Sequence, residues 1–334
     1  MVTSQHRLRL RPLVLAAVIL LAASASVTAY RSVDGAGRGI RAYTGSTPHV
    51  FVVVMENKEQ SSVVGNAHAP YVNRLAKQFG YAARFYGVTH PSLPNYVASI
   101  AGNVFNVHDD SPVRRFNARN LVDQLEAHGL TWRAYMDGMP RPGYTGNYYP
   151  TNHPVMYVRR HNPFMLMNDI LNNARRRTQV VPAWTLTQDL RTSHVPNLAY
   201  IVPNLCSDMH GTDGPGTFCP SNDFNGLLAA GDTYLKNVLP IITASPAWTQ
   251  NSMIIVFWDE GASNSGCCGS VPDAAGGNAP AIVIAREGRR AFVSHTPYNT
   301  YSVLKTVQTV WHLECLEYTC DRRVHPMTEF LRTP

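Results

Sequence analysis

Short apolar runs and amphipathic stretches alternate along the 334-residue chain. The apolar runs have the length and continuity of strands that are buried inside a sheet, as in parallel α/β proteins. They predict strands at residues 49–55, 130–136, 198–202, 252–258 and 280–285.

Between these runs, apolar residues recur at helical spacing. They predict helices at residues 68–80, 96–102, 121–129, 222–244 and 301–313, with a break or kink of the fourth at Pro240. Residues 137–154 are rich in Gly, Pro, Tyr and Asn and are interpreted as a long functional loop. Because strands and helices alternate, the pattern indicates an α/β fold.

Two acidic pairs stand directly after predicted strands. Glu56 and Asn57 follow the first strand, and Asp259 and Glu260 follow the strand at 252–258. Ligands bind at the carboxyl ends of the strands in open α/β sheets, so these side chains are expected to meet there. Their four oxygen donors suit a divalent metal ion. The alternative is that each pair merely begins a polar loop.

A hydroxyl-rich turn at residues 88–96 precedes one of the predicted helices. Ser92 stands between Pro91 and Pro94, and prolines restrict both their own backbone and that of the preceding residue. Such a turn can present a nucleophile beside helix N–H groups that face an anion. Thr89 is the second candidate nucleophile, and an ordinary turn is the alternative.

Four motifs together resemble the phosphoesterase family, which holds bacterial secreted acid phosphatases and phospholipases C. They are Met-Glu-Asn-Lys at 55–58, Ala-Pro-Tyr-Val-Asn-Arg-Leu-Ala at 69–76, Thr-His-Pro-Ser-Leu-Pro-Asn-Tyr at 89–96 and Trp-Asp-Glu-Gly at 258–261. In length and motif order, the chain is most similar to short secreted acid phosphatases that act on phosphatidylinositol 3-phosphate. The resemblance runs from about residue 49 to 309 and implies an alkaline-phosphatase-like three-layer α/β/α sandwich.

The resemblance also implies roles for these residues. Ser92 corresponds to the family's nucleophile, which would form a phosphoserine intermediate. Glu56, Asn57, Asp259 and Glu260 correspond to the ligands of one divalent metal ion, whose identity the sequence leaves open. Coordination to a metal lowers the pKa of a serine hydroxyl, so the implied roles agree chemically.

Three of the thirteen histidines are candidates for the site. His210 lies in an Asp-x-His segment with Asp208. His210 is predicted to act as general acid or phosphate ligand, and Asp208 is predicted as a substrate-binding residue. His161 follows Arg160 in a segment that resembles the family's basic-His-x-Pro segment, so both are predicted to hold a phosphoryl oxygen. His90, next to the candidate nucleophile, is predicted as a further substrate contact.

Thr300 departs from the family, which normally has His at this position. In the wider superfamily such a late His helps to hold a second metal, and Thr is a far poorer ligand than imidazole. His295 is nearby in sequence and could substitute for it. The departure favours a mechanism with one metal ion.

The N-terminus has the pattern of a secretory signal peptide. Arg7, Arg9 and Arg11 precede an apolar run at 13–23, and a small-residue cleavage site ends at Ala29. The run is short for a spanning helix, although an uncleaved N-terminal anchor remains an alternative. The predicted organisation is therefore a signal peptide (1–29), a flexible leader (30–48) and one catalytic domain (49–334), secreted into the extracellular space.

Six cysteines in an exported chain predict disulfide bonds rather than a zinc site. Closeness in sequence favours Cys206 with Cys219 and Cys315 with Cys320. Cys267 and the adjacent cysteine at 268 either bond to each other or pair elsewhere.

The function predicted from these observations is that of a secreted metal-dependent phosphomonoesterase. Its partner is a small-molecule or lipid phosphate ester, and transient contact with a membrane surface is left open. Nucleic acid is not expected as a partner, since the only basic cluster, residues 175–177, has no interleaved aromatic residues. No feature indicates a protein partner. The alternatives are a phospholipase C that cleaves diesters and a non-catalytic binding protein on the same fold.

Overall fold

The computed structural model describes residues 47–192, 195–268 and 275–331. The predicted signal peptide at 1–29 and the leader up to residue 46 lie outside the described residues. No helix within the described part of the chain is both long and apolar enough to cross a lipid bilayer.

The strands include the five that the apolar runs predict. In chain order the strands are β1 (Val50–Met55), β2 (Gly80–Ala82), β3 (Phe85–Tyr86), β4 (Trp132–Met136), β5 (Tyr148–Tyr149), β6 (Tyr157–Val158), β7 (Val180–Pro182), β8 (Leu198–Val202), β9 (Met253–Trp258), β10 (Asn278–Ala279), β11 (Ala281–Ala285), β12 (Phe292–Ser294) and β13 (Tyr298–Asn299). The five predicted strands are present as β1, β4, β8, β9 and β11, and the eight further short strands within the described residues were not predicted.

Eight of these strands form the central sheet, in the order β12-β2-β11-β9-β1-β8-β4-β7. β1 lies between β8 and β9 and runs parallel to both. β4 is parallel to β8 and β7, whereas β11 is antiparallel to β9 and β2. The carboxyl ends of β1, β4, β8 and β9 therefore meet at one edge of the sheet.

The middle of this sheet is fully buried, which explains why its strands carry near-continuous apolar runs rather than alternating ones. All residues of β1 and β9 are buried. The pairing places Val50 beside Met253 and Met55 beside Trp258, so both strands end at the same level.

Among the helices, α2 packs against α8, α3 packs against α9 and α4, and α5 packs against α6. In chain order the helices are α1 (Gln60–Val63), α2 (Pro70–Gln78), α3 (Ser92–Ala101), α4 (Leu121–Ala127), α5 (Asn168–Leu171), α6 (Ala174–Arg177), α7 (Thr185–Asp189), α8 (Phe224–Thr243) and α9 (Thr300–Val310). Short 3₁₀ turns lie at Arg159–His161, Pro163–Leu166, Glu317–Cys320 and Thr328–Leu331. With the mixed central sheet, these helices make the α/β fold predicted from the sequence.

Three elements differ from the sequence predictions. The helix expected at 96–102 begins four residues earlier, because Ser92 and the three residues after it already form its first turn. The helix expected to break or kink at Pro240 does not break there and continues to Thr243. The predicted loop at 137–154 contains β5, which pairs with β6 as a small hairpin.

Three disulfide bonds are formed, and none of the described cysteines is free. The predicted pairs Cys206–Cys219 and Cys315–Cys320 are confirmed. For the remaining two cysteines the sequence left two alternatives open. They bond to each other, as Cys267–Cys268.

Candidate active site

The two acidic pairs lie side by side because the strands before them are neighbours in register. The backbone N–H of Asp259 donates to the carbonyl oxygen of Met55 at 3.0 Å. The N–H of Asn57 donates to Oδ1 of Asp259, also at 3.0 Å. Glu56 and Asp259 are completely buried, and Glu260 is 5% exposed.

Ser92 is the first residue of α3 and points into this acidic group. Its Oγ lies 3.0 Å from Oε2 of Glu56 and 3.2 Å from Oε1 of Glu260. The side chain is buried, with 2% of its residue surface exposed. A hydroxyl group is therefore held between two carboxylates that come from the ends of β1 and β9.

The turn that carries Ser92 is fixed by Asn95. Oδ1 of Asn95 accepts from the N–H groups of Val88 and Thr89 at 2.8 and 3.2 Å. Its amide nitrogen donates to the carbonyl oxygen of Thr89 at 2.6 Å. Thr89, the second candidate nucleophile, instead turns its hydroxyl toward the carbonyl oxygen of His90 at 3.2 Å. No role for Asn95 was predicted from the sequence, although this residue stands in the motif at 89–96.

Gly87 allows this turn to approach the acidic loop. A Cβ atom at this position would lie 2.6 Å from the carbonyl oxygen of Gly276 and 2.9 Å from that of Asp259. Both are closer than Cβ atoms come to oxygen atoms in folded proteins, so the backbone approach requires glycine here.

His161 and Asp208 lie on the opposite side of Glu56 from Ser92. Nε2 of His161 is 3.3 Å from Oε1 of Glu56, and its Nδ1 is 3.6 Å from Oδ2 of Asp208. The imidazole ring stacks on Tyr96 with ring centres 5.0 Å apart. The segment of Asp208 is tied to β1 by a bond of 2.8 Å from the N–H of Glu56 to the carbonyl oxygen of Asp208.

His210 and Arg160 extend this side of the site. Nδ1 of His210 donates to the carbonyl oxygen of Gly211 at 2.8 Å, so its Nε2 carries the lone pair. Nη2 of Arg160 lies 3.2 Å from that Nε2. Nε of Arg160 is 3.5 Å from Oδ2 of Asp110, whose Oδ1 accepts from the N–H of Leu93 at 2.9 Å. Asp110 therefore connects Arg160 to the first turn of α3.

His90 has both ring nitrogens engaged within the protein. Nδ1 contacts Oε2 of Glu260, and Nε2 lies 3.0 Å from the carbonyl oxygen of Ser263. The hydrogen bond to Glu260 is the main cause that raises the pKa of His90 to about 9. The substrate contact predicted for His90 from the sequence stays a prediction.

The buried carboxyl groups repel one another electrostatically. Burial is the largest cause that raises the pKa of Glu56 and Asp259, and a neighbouring carboxylate comes next for each of them. Burial also raises the pKa of Asp208 and of Glu260, the latter against the hydrogen bond from His90. Close carboxyl groups with raised pKa values are stabilised as anions by a divalent cation.

The two imidazoles on the far side of Glu56 respond to burial in the opposite sense. Burial lowers the pKa of His161 well below its usual value, and Arg160 and His210 lower it further. The pKa of His210 is lowered mainly by burial as well. Both rings are therefore neutral at physiological pH, with lone pairs available to a cation or to an added proton.

Several buried polar atoms of the site have no hydrogen-bond partner among the described residues, which is a test of whether a metal ion fits here. They are Oε1 of Glu56, Oδ2 of Asp208, Oδ2 of Asp259 and Nε2 of His161. Leaving such atoms unsatisfied costs about 1–3 kcal/mol each, and more for charged groups. A cation would satisfy them, so the site fits a bound metal. Three of these atoms lie at or beside His161, and the fourth belongs to Asp259.

Two overlapping donor sets exist, and they share Glu56. One is the oxygen-rich set predicted from the sequence, with Asn57, Asp259 and Glu260. The other is nitrogen-rich: ligand atoms of Glu56, His161 and His210 lie within 4.8 Å of one another. The sequence did not indicate that His161 and Glu56 are in contact, since their segments lie far apart in the chain.

The position of the missing late histidine is buried. Thr300 is the first residue of α9, is 0% exposed, and its hydroxyl has no hydrogen-bond partner among the described residues. His295 is exposed and does not belong to the group formed by Glu56, His161 and His210.

Known proteins resemble this chain in sequence and in fold. The profile of the phosphoesterase family matches residues 65–314. A phosphate-repressible acid phosphatase of Penicillium chrysogenum is 27% identical over 246 residues, which are 73% of this chain and 55% of that protein. A phosphatidylinositol-3-phosphatase of Mycobacterium tuberculosis is 30% identical over 213 residues, which are 64% of this chain and 63% of that protein.

The solved structures show the same fold at low sequence identity. A protein of the alkaline phosphatase superfamily from Vibrio parahaemolyticus superposes with a TM-score of 0.55 at 13% identity, over 86% of this chain and 71% of that chain. The alkaline-phosphatase-like fold predicted from the sequence is thus confirmed. The chain spans 55% and 63% of the length of the two curated relatives described above, and the family match covers most of its own length. The chain belongs to the phosphoesterase family.

Proposed function

We propose that the protein is a secreted, metal-dependent acid phosphatase that hydrolyses phosphate monoesters through a phosphoserine intermediate. The observation that carries this proposal is the placement of Ser92 Oγ, 3.0 Å from Glu56 and 3.2 Å from Glu260 at the start of α3. A hydroxyl group held between buried carboxylates has both a proton acceptor and a neighbouring cation site, which a serine nucleophile needs.

The first chemical step starts at Ser92. Its Oγ forms a bond to phosphorus while its proton passes to the carboxylate of Glu56, whose Oε2 lies 3.0 Å away. The bond between phosphorus and the ester oxygen breaks, and the alcohol leaves. Water then attacks phosphorus, the bond between phosphorus and Oγ breaks, and inorganic phosphate leaves. The proton held by Glu56 returns to Oγ, and His210 takes up the proton that the water loses.

The oxygen-rich set would hold one divalent metal ion, whose identity remains open. Its ligands are Glu56, Asn57, Asp259 and Glu260, next to Oγ of Ser92. When bound, the ion supplies charge neutralisation at the phosphoryl oxygens and a lower pKa for the serine hydroxyl. Carboxylate and amide oxygens favour a hard cation.

The opposite side of Glu56 is proposed as the phosphoryl and leaving-group side. Arg160 donates to the phosphoryl oxygens, and His161 and Asp208 line the same space. A phosphate dianion beside His210 raises the pKa of its imidazole, so its Nε2 can take up a proton and donate it to the leaving oxygen. Arg160, now 3.2 Å from this nitrogen, would turn toward the phosphate instead.

The substrate class follows from the relatives and from this geometry. The relatives described above are named acid phosphatase and phosphatidylinositol-3-phosphatase, so small-molecule phosphate esters and phosphatidylinositol 3-phosphate are the proposed substrates. A lipid substrate would require transient contact with a membrane surface. The three disulfide bonds support the proposed secretion, because such bonds persist mainly in oxidising environments outside the cytoplasm.

The test is steady-state kinetics with a monoester and a diester of the same chromophore, with and without a chelator. Turnover of the monoester that is lost on chelation and restored by a divalent metal supports the proposal. Phosphate release from phosphatidylinositol 3-phosphate in mixed micelles then tests the lipid substrate.

Two outcomes would replace the proposal. Preference for the diester would indicate a phospholipase C, the alternative with room for a second ester group. No turnover of either compound would indicate a non-catalytic binding protein that retains the fold.

A further inference from the structure

We propose that His90 is a positioning residue: it holds the carboxylate of Glu260 in the orientation that serves Ser92 and the metal pocket, and Glu59 supports it from outside. The proposal rests on the proposed function insofar as Glu260 is a metal ligand. It gives His90 a different role from the substrate contact that the sequence suggested.

The contacts of His90 determine where its hydrogen atoms lie. Nε2 is 3.0 Å from the carbonyl oxygen of Ser263, which can only accept, so Nε2 carries hydrogen. Nδ1 faces Oε2 of Glu260, an oxygen that also accepts, so Nδ1 donates to it. Neither nitrogen is left to contact a substrate, although the side chain is 34% exposed.

The two oxygens of the Glu260 carboxylate therefore have different partners. Oε2 is occupied by His90, and Oε1 lies 3.2 Å from Oγ of Ser92. A carboxylate that rotates freely would offer either oxygen to a metal, whereas this one can present only Oε1 toward the site. Residues that hold metal ligands in this way usually account for about 10–100-fold in metal affinity or activity.

Glu59 fixes Ser263, whose carbonyl oxygen accepts the hydrogen bond from Nε2 of His90. Its Oε2 accepts from the N–H groups of Ala262 and Ser263 at 2.7 and 3.0 Å. Its Oε1 accepts from the hydroxyl of Ser263 at 3.0 Å. The loop after β9 is therefore clamped where the carbonyl oxygen of Ser263 receives the hydrogen of His90.

These contacts form one chain of hydrogen bonds from the outside of the site to its centre. It runs from Glu59 through Ser263 and His90 to Glu260 and ends at Ser92. Glu59 directly follows the motif at 55–58, and Ser263 lies in the loop after β9. The segments after the carboxyl ends of β1 and β9 therefore both help to hold His90 in place. Side chains that are fixed on both sides keep a site within the narrow geometry that chemistry needs.

The sharpest test compares His90→Asn with His90→Gln. The amide nitrogen of Asn lies close to where Nδ1 of histidine lies, so His90→Asn retains a donor to Glu260. The amide nitrogen of Gln lies close to the position of Nε2, so His90→Gln retains a donor to Ser263 and leaves Glu260 unsupported. A simple packing role would not distinguish the two variants in this order.

The main readout is the dissociation constant of Mn²⁺ or Zn²⁺, measured by competition with a chelator in the full chain. His90→Ala and His90→Gln should weaken metal binding by about 10–100-fold, and His90→Asn by only a few-fold. At saturating metal, kcat should follow the same order while KM stays unchanged. The exposed residue His68, changed to Asn, is the matched control and should leave both constants as they are.

Glu59 provides a second, independent measurement. Glu59→Gln should weaken metal binding in the same direction as His90→Ala but by less, and should have no further effect in the His90→Ala background. Glu287→Gln, at an exposed position, is its control. Thermal unfolding of every variant shows whether the fold is retained, and His90→Asn keeps the test usable if His90→Ala does not fold.

Three results with the variants would overturn the inference, and a fourth would come from the wild type. The first three are wild-type metal affinity in His90→Ala, rescue by Gln rather than by Asn, and an effect confined to KM, which would restore the role of substrate contact. A chain that binds no metal would overturn it as well. Absence of phosphatase activity with the expected order of metal affinities would instead contradict the proposed function and leave the role of His90 standing.

Discussion

Nε2 of His161 lies 3.3 Å from Oε1 of Glu56, and neither buried atom has a hydrogen-bond partner among the described residues. The other oxygen of Glu56 faces Ser92 at 3.0 Å. One carboxylate thus separates two kinds of environment, oxygen-rich on one side and nitrogen-rich on the other. Which side binds the metal ion decides the roles of all the other residues.

We predict that the oxygen-rich side holds the ion and that elemental analysis of active protein finds about one metal per chain. Asp259→Ala removes a charged ligand and should lose both the metal and the activity. His161→Gln removes only a neighbour of Glu56 on the other side, so it should retain the metal while its activity falls.

The reverse pattern would assign the metal to the nitrogen-rich set. Loss of the metal in His161→Gln, with retention in Asp259→Ala, would make His161 and His210 ligands rather than phosphoryl contacts. Two tightly held ions would mean that both sets are used and that the absence of His at Thr300 is compensated by His161. A matched control is His295→Gln, because His295 is exposed and outside both sets.

Ser92→Ala should lower kcat by roughly three to six orders of magnitude, since it removes the nucleophile while its neighbours remain. Thr89→Ala should retain most of the activity, because the hydroxyl of Thr89 donates to a backbone carbonyl oxygen. Both variants should bind metal and unfold at temperatures near that of the wild type. The nucleophile would have to be reassigned if Thr89→Ala, and not Ser92→Ala, were inactive.

The parts of this site that could be predicted from the sequence are those that directly follow a buried strand. Glu56 and Asp259 could be brought together because β1 and β9 carry recognisable apolar runs and because parallel strands share an edge. The adjacency of these two strands in the sheet was not required by the pattern. It became visible only through the pairing of Met55 with Trp258.

The parts that could not be predicted depend on long loops. His161 reaches Glu56 from a segment about a hundred residues away, and Asp110 reaches Arg160 from an irregular stretch without a motif. Glu59 stands beside a motif, but nothing in its spacing indicates the loop at Ser263. Contacts of this kind depend on tertiary packing, which neither periodicity nor motif spacing records.

The disulfide bond between Cys206 and Cys219 encloses His210 and follows directly after β8. Opening it should release the segment that positions His210, so Cys206→Ser with Cys219→Ser should lower kcat as well as the unfolding temperature. In the chain-entropy view, a disulfide bond that closes a loop of this size adds about 3 kcal/mol to the free energy of unfolding.

The matched control is the Cys315–Cys320 bond, which closes a shorter loop after α9. Its removal should lower the unfolding temperature and leave kcat nearly unchanged. Equal losses of kcat in the two double variants would show that the bond at Cys206 has no particular connection with the site. Mass spectrometry of the wild-type protein should find no free thiol.

The buried carboxyl groups give the metal-free protein a characteristic dependence on pH. Burial raises the pKa of Glu56 above its usual 4.5, and the pKa values of Asp208 and Asp259 above their usual 3.8. Groups with raised pKa values bind more protons in the folded than in the unfolded state. Their contribution to stability is therefore fully present below the usual values and is lost as the pH rises through the raised ones.

A bound divalent ion reverses this dependence, because it stabilises the charged carboxylates in the folded state. The difference in unfolding temperature between metal-loaded and chelator-treated protein should accordingly grow with pH from about 4 to about 8. An ion present at a hundred times its dissociation constant would add about 2.7 kcal/mol at the upper end. Differential scanning calorimetry across this range, on wild type and on Asp259→Asn, measures the effect.

Asp259→Asn removes one of the repelling charges, so its metal-free form should be less destabilised at high pH than the wild type. A metal effect that is constant with pH, or one that is larger in acid, would show that the ion does not bind at these carboxylates.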